Sequence, residues 1–169
     1  TTTVTVSGAP FTYTGSAQTP ATAGWASQSS DGESGSLVVT YTDNVNAGTA
    51  TARATFAGDD DHNGSTSSQT FAIGQATATV TSTDYSGTYD GQAHTASVVI
   101  TGVGSDGILD EQSLTGTHVA ESGSVTASIS GMQNYLDASG TADLIITKAD
   151  TTTTVTVSGA PFTYTGSAQ

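Results

Sequence analysis

Six consecutive residues, Asp59-Asp60-Asp61-His62-Asn63-Gly64, carry the densest set of oxygen donors in the chain. Calcium takes about six to eight oxygen ligands from carboxylates and carbonyls, so Asp59, Asp60 and Asp61 are the candidate metal ligands, for a weak calcium site. Their spacing is not that of an EF-hand, which alternates its acidic positions and closes on a glutamate. Asp, Asn and Gly also form turns in their own right, and the segment lies between alternating runs that end at Phe56 and begin at Gln69. A polar hairpin turn is the simpler expectation. Calcium is the only cofactor these residues suggest.

Other chemistry finds less support. His62, His94 and His118 are scattered, without the short-spaced pair that zinc sites use. No Gly-x-Ser-x-Gly elbow occurs. Asp110-Glu111 reads as part of a loop, with no apolar pocket to raise a carboxyl pKa. The glycines do not lead from a strand into a helix, as a phosphate loop requires. Lys148, the only lysine, closes the last alternating run, and its placement does not favour a covalent cross-link. No catalytic residue is assigned, and the chain is expected not to be an enzyme. Trp25 and the tyrosines are candidates for stacking on sugars. A small domain with few large apolar residues must, however, spend its aromatics on the core.

The elements that hold these residues follow from composition. Thr is about one residue in five, and Ser, Ala, Gly and Val supply most of the rest. β-branched Thr and Val suit a pleated surface better than a helix, so the expected class is all-β. The formal charge is −13, with Arg53 and Lys148 as the only strong cations. Such a chain cannot neutralise a row of phosphates, which argues against nucleic acid, and equally against an anionic membrane surface. Cysteine is absent, removing disulfides and thiolate metal sites. No stretch approaches the ~20 apolar residues of a membrane span, and no signal peptide is visible.

Repetition is the strongest signal. TTTVTVSGAPFTYTGSAQ occurs at Thr1 to Gln18 and again, residue for residue, at Thr152 to Gln169, an offset of 151. Inside that period lies a weaker duplication. FTYTGSAQT from Phe11 pairs with GTYDGQAHT from Gly87, and Ala54 to Ala76 pairs with Ala127 to Ala149 at an offset of 73. Tyr13, Tyr89 and Tyr164 thus recur at one motif position. Residues 1–75 and 76–150 are expected to be two diverged copies of a unit, with 151–169 forming the first strands of a third. Short junctions, Gly74-Gln75-Ala76 and Lys148-Ala149-Asp150, would join them into a semi-rigid array.

Alternating runs mark strands at Val4–Val6, Leu37–Thr42, Thr49–Phe56 and Gln69–Ile73, then at Ala78–Val80, Ala96–Val103, Ser124–Ser130 and Ala142–Thr147. Their spacing suggests sandwiches. The Tyr13-Thr14-Gly15 opening, the segment Tyr41 to Ser65 and the closing Thr70 to Ile73 resemble the tandem Ig-like repeats of giant bacterial adhesins and cell-surface proteins, nearest to the domains called MBG (YGX type) and YDG. The resemblance implies Ig-like β-sandwiches in a linear array, on an extracellular, cell-surface protein. It implies a stalk or matrix fibre whose partners are neighbouring repeats of the same chain, with lateral self-association into fibres. Some relatives are credited with glycan binding, which makes an adhesive module using exposed aromatics the alternative. Met132-Gln133-Asn134-Tyr135 replaces Asp59-Asp60-Asp61-His62 in the second copy, so a calcium site would not recur there.

Overall fold

A computed structural model describes residues 1–159, 161 and 163–168. The described chain is all-β, relieved only by a 3-10 turn at Val119–Glu121. The first half contains β1 (Thr2–Val6), β2 (Phe11–Thr12), β3 (Ala21–Ala26), β4 (Ser34–Leu37), β5 (Thr40–Thr42), β6 (Gly48–Gly58) and β7 (Asn63–Gly74). The second contains β8 (Thr79–Thr83), β9 (Tyr85–Thr88), β10 (His94–Thr101), β11 (Ile108–Gly116), β12 (Gly123–Ile129) and β13 (Ala138–Thr147).

Each half has two facing sheets. In the first the orders are β1-β3-β4 and β2-β7-β6-β5, and in the second β8-β10-β11 and β9-β13-β12. All neighbours are antiparallel except β2 with β7 and β9 with β13. Alternation decides which side chains face inward. Ala50, Ala52 and Ala54 of β6 are buried while Arg53 is exposed. Three small inward residues leave the space filled by Val4 and Phe71, whose ring meets Phe11 and Tyr41 edge-on at 5.4 and 6.3 Å. The second core is larger: Ala96, Val98 and Ile100 of β10 face Ala127 and Ile129 of β12 and Ala142, Leu144 and Ile146 of β13. Each fully buried Val, Leu or Ile contributes roughly 1.5–3 kcal/mol over leaving it in water.

Several ladders match between the halves, although β5 has no counterpart in the second. Phe11 pairs with Ile73 and Thr12 with Gly74, as Gly87 pairs with Ile146 and Thr88 with Thr147. The amides of Tyr13 and Tyr89 then donate to the carbonyls of Gly74 (2.9 Å) and Thr147 (2.8 Å). Thr2 pairs with Trp25 as Val80 pairs with Ile100.

Several expectations require correction. The run Leu37–Thr42 is not one strand: β4 and β5 lie in different sheets, and Val38, 84 % exposed, sits where the chain crosses between them. The Phe56-to-Gln69 hairpin is tighter than expected, with only Asp59–His62 between β6 and β7. Polar residues extend its ladder, and the hydroxyls of Thr55 and Thr66 bond across it. Asp110 and Glu111 are not in a loop but on β11, opposite Ile100 and Val99. The Asp110 carboxylate caps the Ser128 amide at 2.8 Å.

Residues 151–169 were expected to open a third unit with strands, and none forms among the described ones. In the first copy β1 exists by pairing with β3, whose counterpart would begin at residue 172. Val155 is 84 % exposed and Tyr164 92 %, against 6 % for the matching Val4 and Tyr13. The turn geometry does repeat, since Gly8 and Gly159 have φ of 91° and 82° and Gly15 and Gly166 have 78° and 75°. These turns form locally, whereas the strand requires its partner.

Candidate functional site

The acidic loop is built around one carboxylate and one imidazole. Gly58 turns the chain with φ of 94°, and a Cβ there would come within 2.9 Å of the His62 carbonyl and the Gly64 amide. Asp59 Oδ1 accepts from the amides of Asp61 (3.0 Å) and His62 (2.7 Å), closing the turn from inside. The His62 ring spans two acids, with Nδ1 2.9 Å from Asp59 Oδ1 and Nε2 3.1 Å from Asp31 Oδ2. Both partners are acceptors, so holding both contacts as hydrogen bonds requires the doubly protonated ring. The bonds to Asp31 and then Asp59 raise the His62 pKa against the opposing effect of burial. Asp31 also accepts from the hydroxyls of Ser29 and Ser27 and from the Glu33 amide. Led by the Ser29 bond, these hold its carboxyl far below the usual range. Burial pushes Asp59 upward, but its bonds to His62 and the loop amides outweigh that and lower it.

Asp60 and Asp61 are exposed. Among the described residues, no group of three or more His, Cys, Asp or Glu side chains is placed to hold a metal ion. Beside the loop, Trp25 and Phe56 stack at 4.2 Å with planes 9° apart, and His62 tilts against the indole at 5.3 Å. They line an open groove of about 250 Å³ with Thr1, Ser27 and Asp61. Phe56 covers one face of the half-buried indole.

The remaining histidines lie apart. His94 stacks on Tyr85 at 3.8 Å and bonds Asp90 at 3.0 Å, while His118 stacks on Tyr89 at 5.7 Å. Tyr89 is 41 % exposed, so the recurring motif tyrosine is core in one copy and surface in the next.

The most elaborate polar cluster lies where the halves meet, and only Tyr13 and Tyr135 were signalled by sequence. Asp106 Oδ2 accepts from Tyr13 Oη at 2.8 Å and Tyr135 Oη at 2.5 Å, and the Val103 amide donates to Tyr135 Oη at 2.8 Å. The tyrosine rings meet edge-on at 5.6 Å and are 6 % and 2 % exposed. The Tyr135 and Tyr13 bonds lower the Asp106 pKa.

The backbone is stitched as well. The Ala76 amide donates to Asn134 (2.8 Å), and the Leu136 amide donates back to Ala76 (3.0 Å). Gln75 Nε2 reaches the carbonyls of Met132 (2.8 Å) and Tyr135 (3.0 Å). The Ala47 amide donates to Asn134 Oδ1 (2.9 Å), and Gln133 Nε2 to the Ala47 carbonyl (3.1 Å). Of the expected short linker Gly74-Gln75-Ala76, Ala76 is buried while Gly74 and Gln75 stay exposed, and each of the three is hydrogen-bonded. One signal was available in the sequence: Ser30-Asp31-Gly32 recurs as Ser105-Asp106-Gly107, with Gly φ of 73° and 68°. Asp31–His62 and Asp106–Tyr135 thus pair at matching positions of the two halves. Comparison with protein-family models, curated proteins and solved structures gave no match for this chain.

Proposed function

We propose that this chain is a structural segment, a stalk or fibre piece, of a long repetitive extracellular bacterial surface protein. The observation that carries this is the bonded seam between the halves, set in a chain that repeats itself after 151 residues. A hinge would leave Gln75-Ala76 solvated, whereas here Ala76 is 2 % exposed and paired on both sides. Units held this way transmit position and load along the array, and stability becomes a sum of unit and nearest-neighbour contributions. Each half acts as one diverged unit of an Ig-like kind. Two facing sheets in each half support that reading, with departures: the second half has no counterpart of β5, and β4 follows β3 directly as a hairpin, where the Ig order places the strand beside B later in the chain. The chain works by reach and carries no enzyme activity. Antibody raised against it should label intact, unpermeabilised source cells. Labelling only after permeabilisation would sink the surface assignment.

The Trp25–Phe56 groove favours a second function, an adhesive module for glycans. Binding on a glycan array that disappears in Trp25→Ala would support it.

A further inference from the structure

The seam inside the period has a counterpart whose parts sit at opposite ends of the repeat. The socket half of the seam is Asp106, Tyr135 and the Met132–Asn134 loop. Its equivalents in the first unit are Asp31, His62 and Asp59–Asp61. The inserting half is Tyr13, Gln75 and Ala76. Its equivalents in the second unit are Tyr89, Lys148 and Ala149.

Two independent spacings agree on this. Tyr89 is fixed to the end of β13 by the same amide bond that fixes Tyr13 to the end of β7. Ala76 lies four residues before Val80, which pairs with Ile100, and Ala149 lies four before Thr153, the repeat of the Thr2 that pairs with Trp25. In a tandem copy the chain would therefore deliver Ala149 to the groove beside Thr1, Trp25 and His62, as it delivers Ala76 beside Tyr135.

We propose that the Asp31–His62–Trp25 surface, with the Asp59–Asp61 loop, is the socket for the trailing end of the second half of another copy of this repeat. Tyr89 of that copy bonds Asp31, and its Lys148 seats over the loop. This deepens the stalk assignment and rests on it.

Charge selects the occupant. Gln75 meets the neutral Met132-Gln133-Asn134, whereas the residue in its place, the only lysine, meets Asp59-Asp60-Asp61. Lys148 is exposed and makes no ion pair among the described residues. The substitutions that distinguish the two junctions thus change together, neutral with neutral and cation with acid. That keeps the trailing end of the second half on the first-half socket and fixes the order of units.

The test is the chain preceded in frame by a second copy of residues 1–151, compared with the chain alone by hydrogen exchange at the two Ala149 amides. By analogy with the Ala76 bond, the upstream Ala149 amide should exchange at least about tenfold more slowly, while the downstream one matches the single chain. Tyr89→Phe or Lys148→Glu placed only in the upstream copy should remove most of that protection. Tyr89→Phe placed only downstream should leave it intact. Equal exchange at both amides, or equal effects of the two placements, overturns the proposal. Unprotected amides in a molecule that is still extended by scattering would sink this socket and spare the stalk.

Discussion

Gly104 offers the cleanest probe of whether the two halves are locked together. Its φ of 59° is left-handed, and a Cβ would lie 2.7 Å from the carbonyl oxygen of Thr14, across the seam. Gly107, three residues on in the same loop, has φ of 68° and nothing within 4 Å of its would-be Cβ. Alanine at either site carries the left-handed penalty of about 1–2 kcal/mol. Only Gly104→Ala must also push Thr14 back by roughly 0.6 Å to reach an ordinary carbon–oxygen separation of about 3.3 Å. Forcing a methyl into a packed contact adds about 1–3 kcal/mol. Gly107→Ala should then cost about 1–2 kcal/mol and Gly104→Ala about 2–5 kcal/mol in urea denaturation. The two probes to follow are fluorescence of Trp25, the sole tryptophan and a reporter of the first half, and far-ultraviolet dichroism of the whole chain. The parent and Gly107→Ala should show coincident transitions, and Gly104→Ala should separate them because the halves no longer unfold as one. Equal costs within about 0.5 kcal/mol, with coincidence kept in both variants, would refute the locked seam.

Leu144→Ala, at a site fully excluded from solvent, should cost about 2–5 kcal/mol in the same assay, while Ile145→Ala, 46 % exposed on the same strand, should cost under about 1 kcal/mol. His62 has a raised pKa in the folded state, so its contribution is complete below its unfolded value and is lost as pH rises through the folded one. Denaturation midpoints should therefore fall across that window, and His62→Phe should remove the fall. Asp31 and Asp106 are lowered, so their contributions hold above the unfolded carboxyl value and vanish as pH drops through the folded one. Asp31→Asn and Asp106→Asn should each flatten the acid limb of the same profile. Chelator should move the thermal midpoint by no more than a few degrees, because a weak site adds stability only as the logarithm of ligand excess. Unfolding in chelator would make calcium structural.

Where alternation was strong and local, the strands were legible. β6, β10 and β13 announce themselves through the alternating apolar runs Ala50-Ala52-Ala54, Ala96-Val98-Ile100 and Ala142-Leu144-Ile146. β2, β3, β9 and β11 were missed: Phe11-Thr12 is too short to alternate, Ala-Thr-Ala-Gly-Trp-Ala has too little contrast between faces, and Asp110-Glu111 looks like a loop until Ser128 supplies an amide to cap. The break at Val38 was invisible because apolar residues continue through it while the chain changes sheets. At the acidic loop, sequence placed the turn correctly, but not His62 bridging Asp59 to Asp31, whose separation of 31 residues only the fold brings together. The seam was least legible. Two of its contacts, Tyr13 to Asp106 and Ala47 to Asn134, join residues 93 and 87 apart that obey no common period.

Whether bonded seams make the repeat a rod is tested most directly by small-angle scattering on proteins of one, two and three periods. Rigid seams predict a maximum dimension that rises almost linearly with the number of periods. Growth closer to the square root, as for units on coil-like linkers, would contradict it.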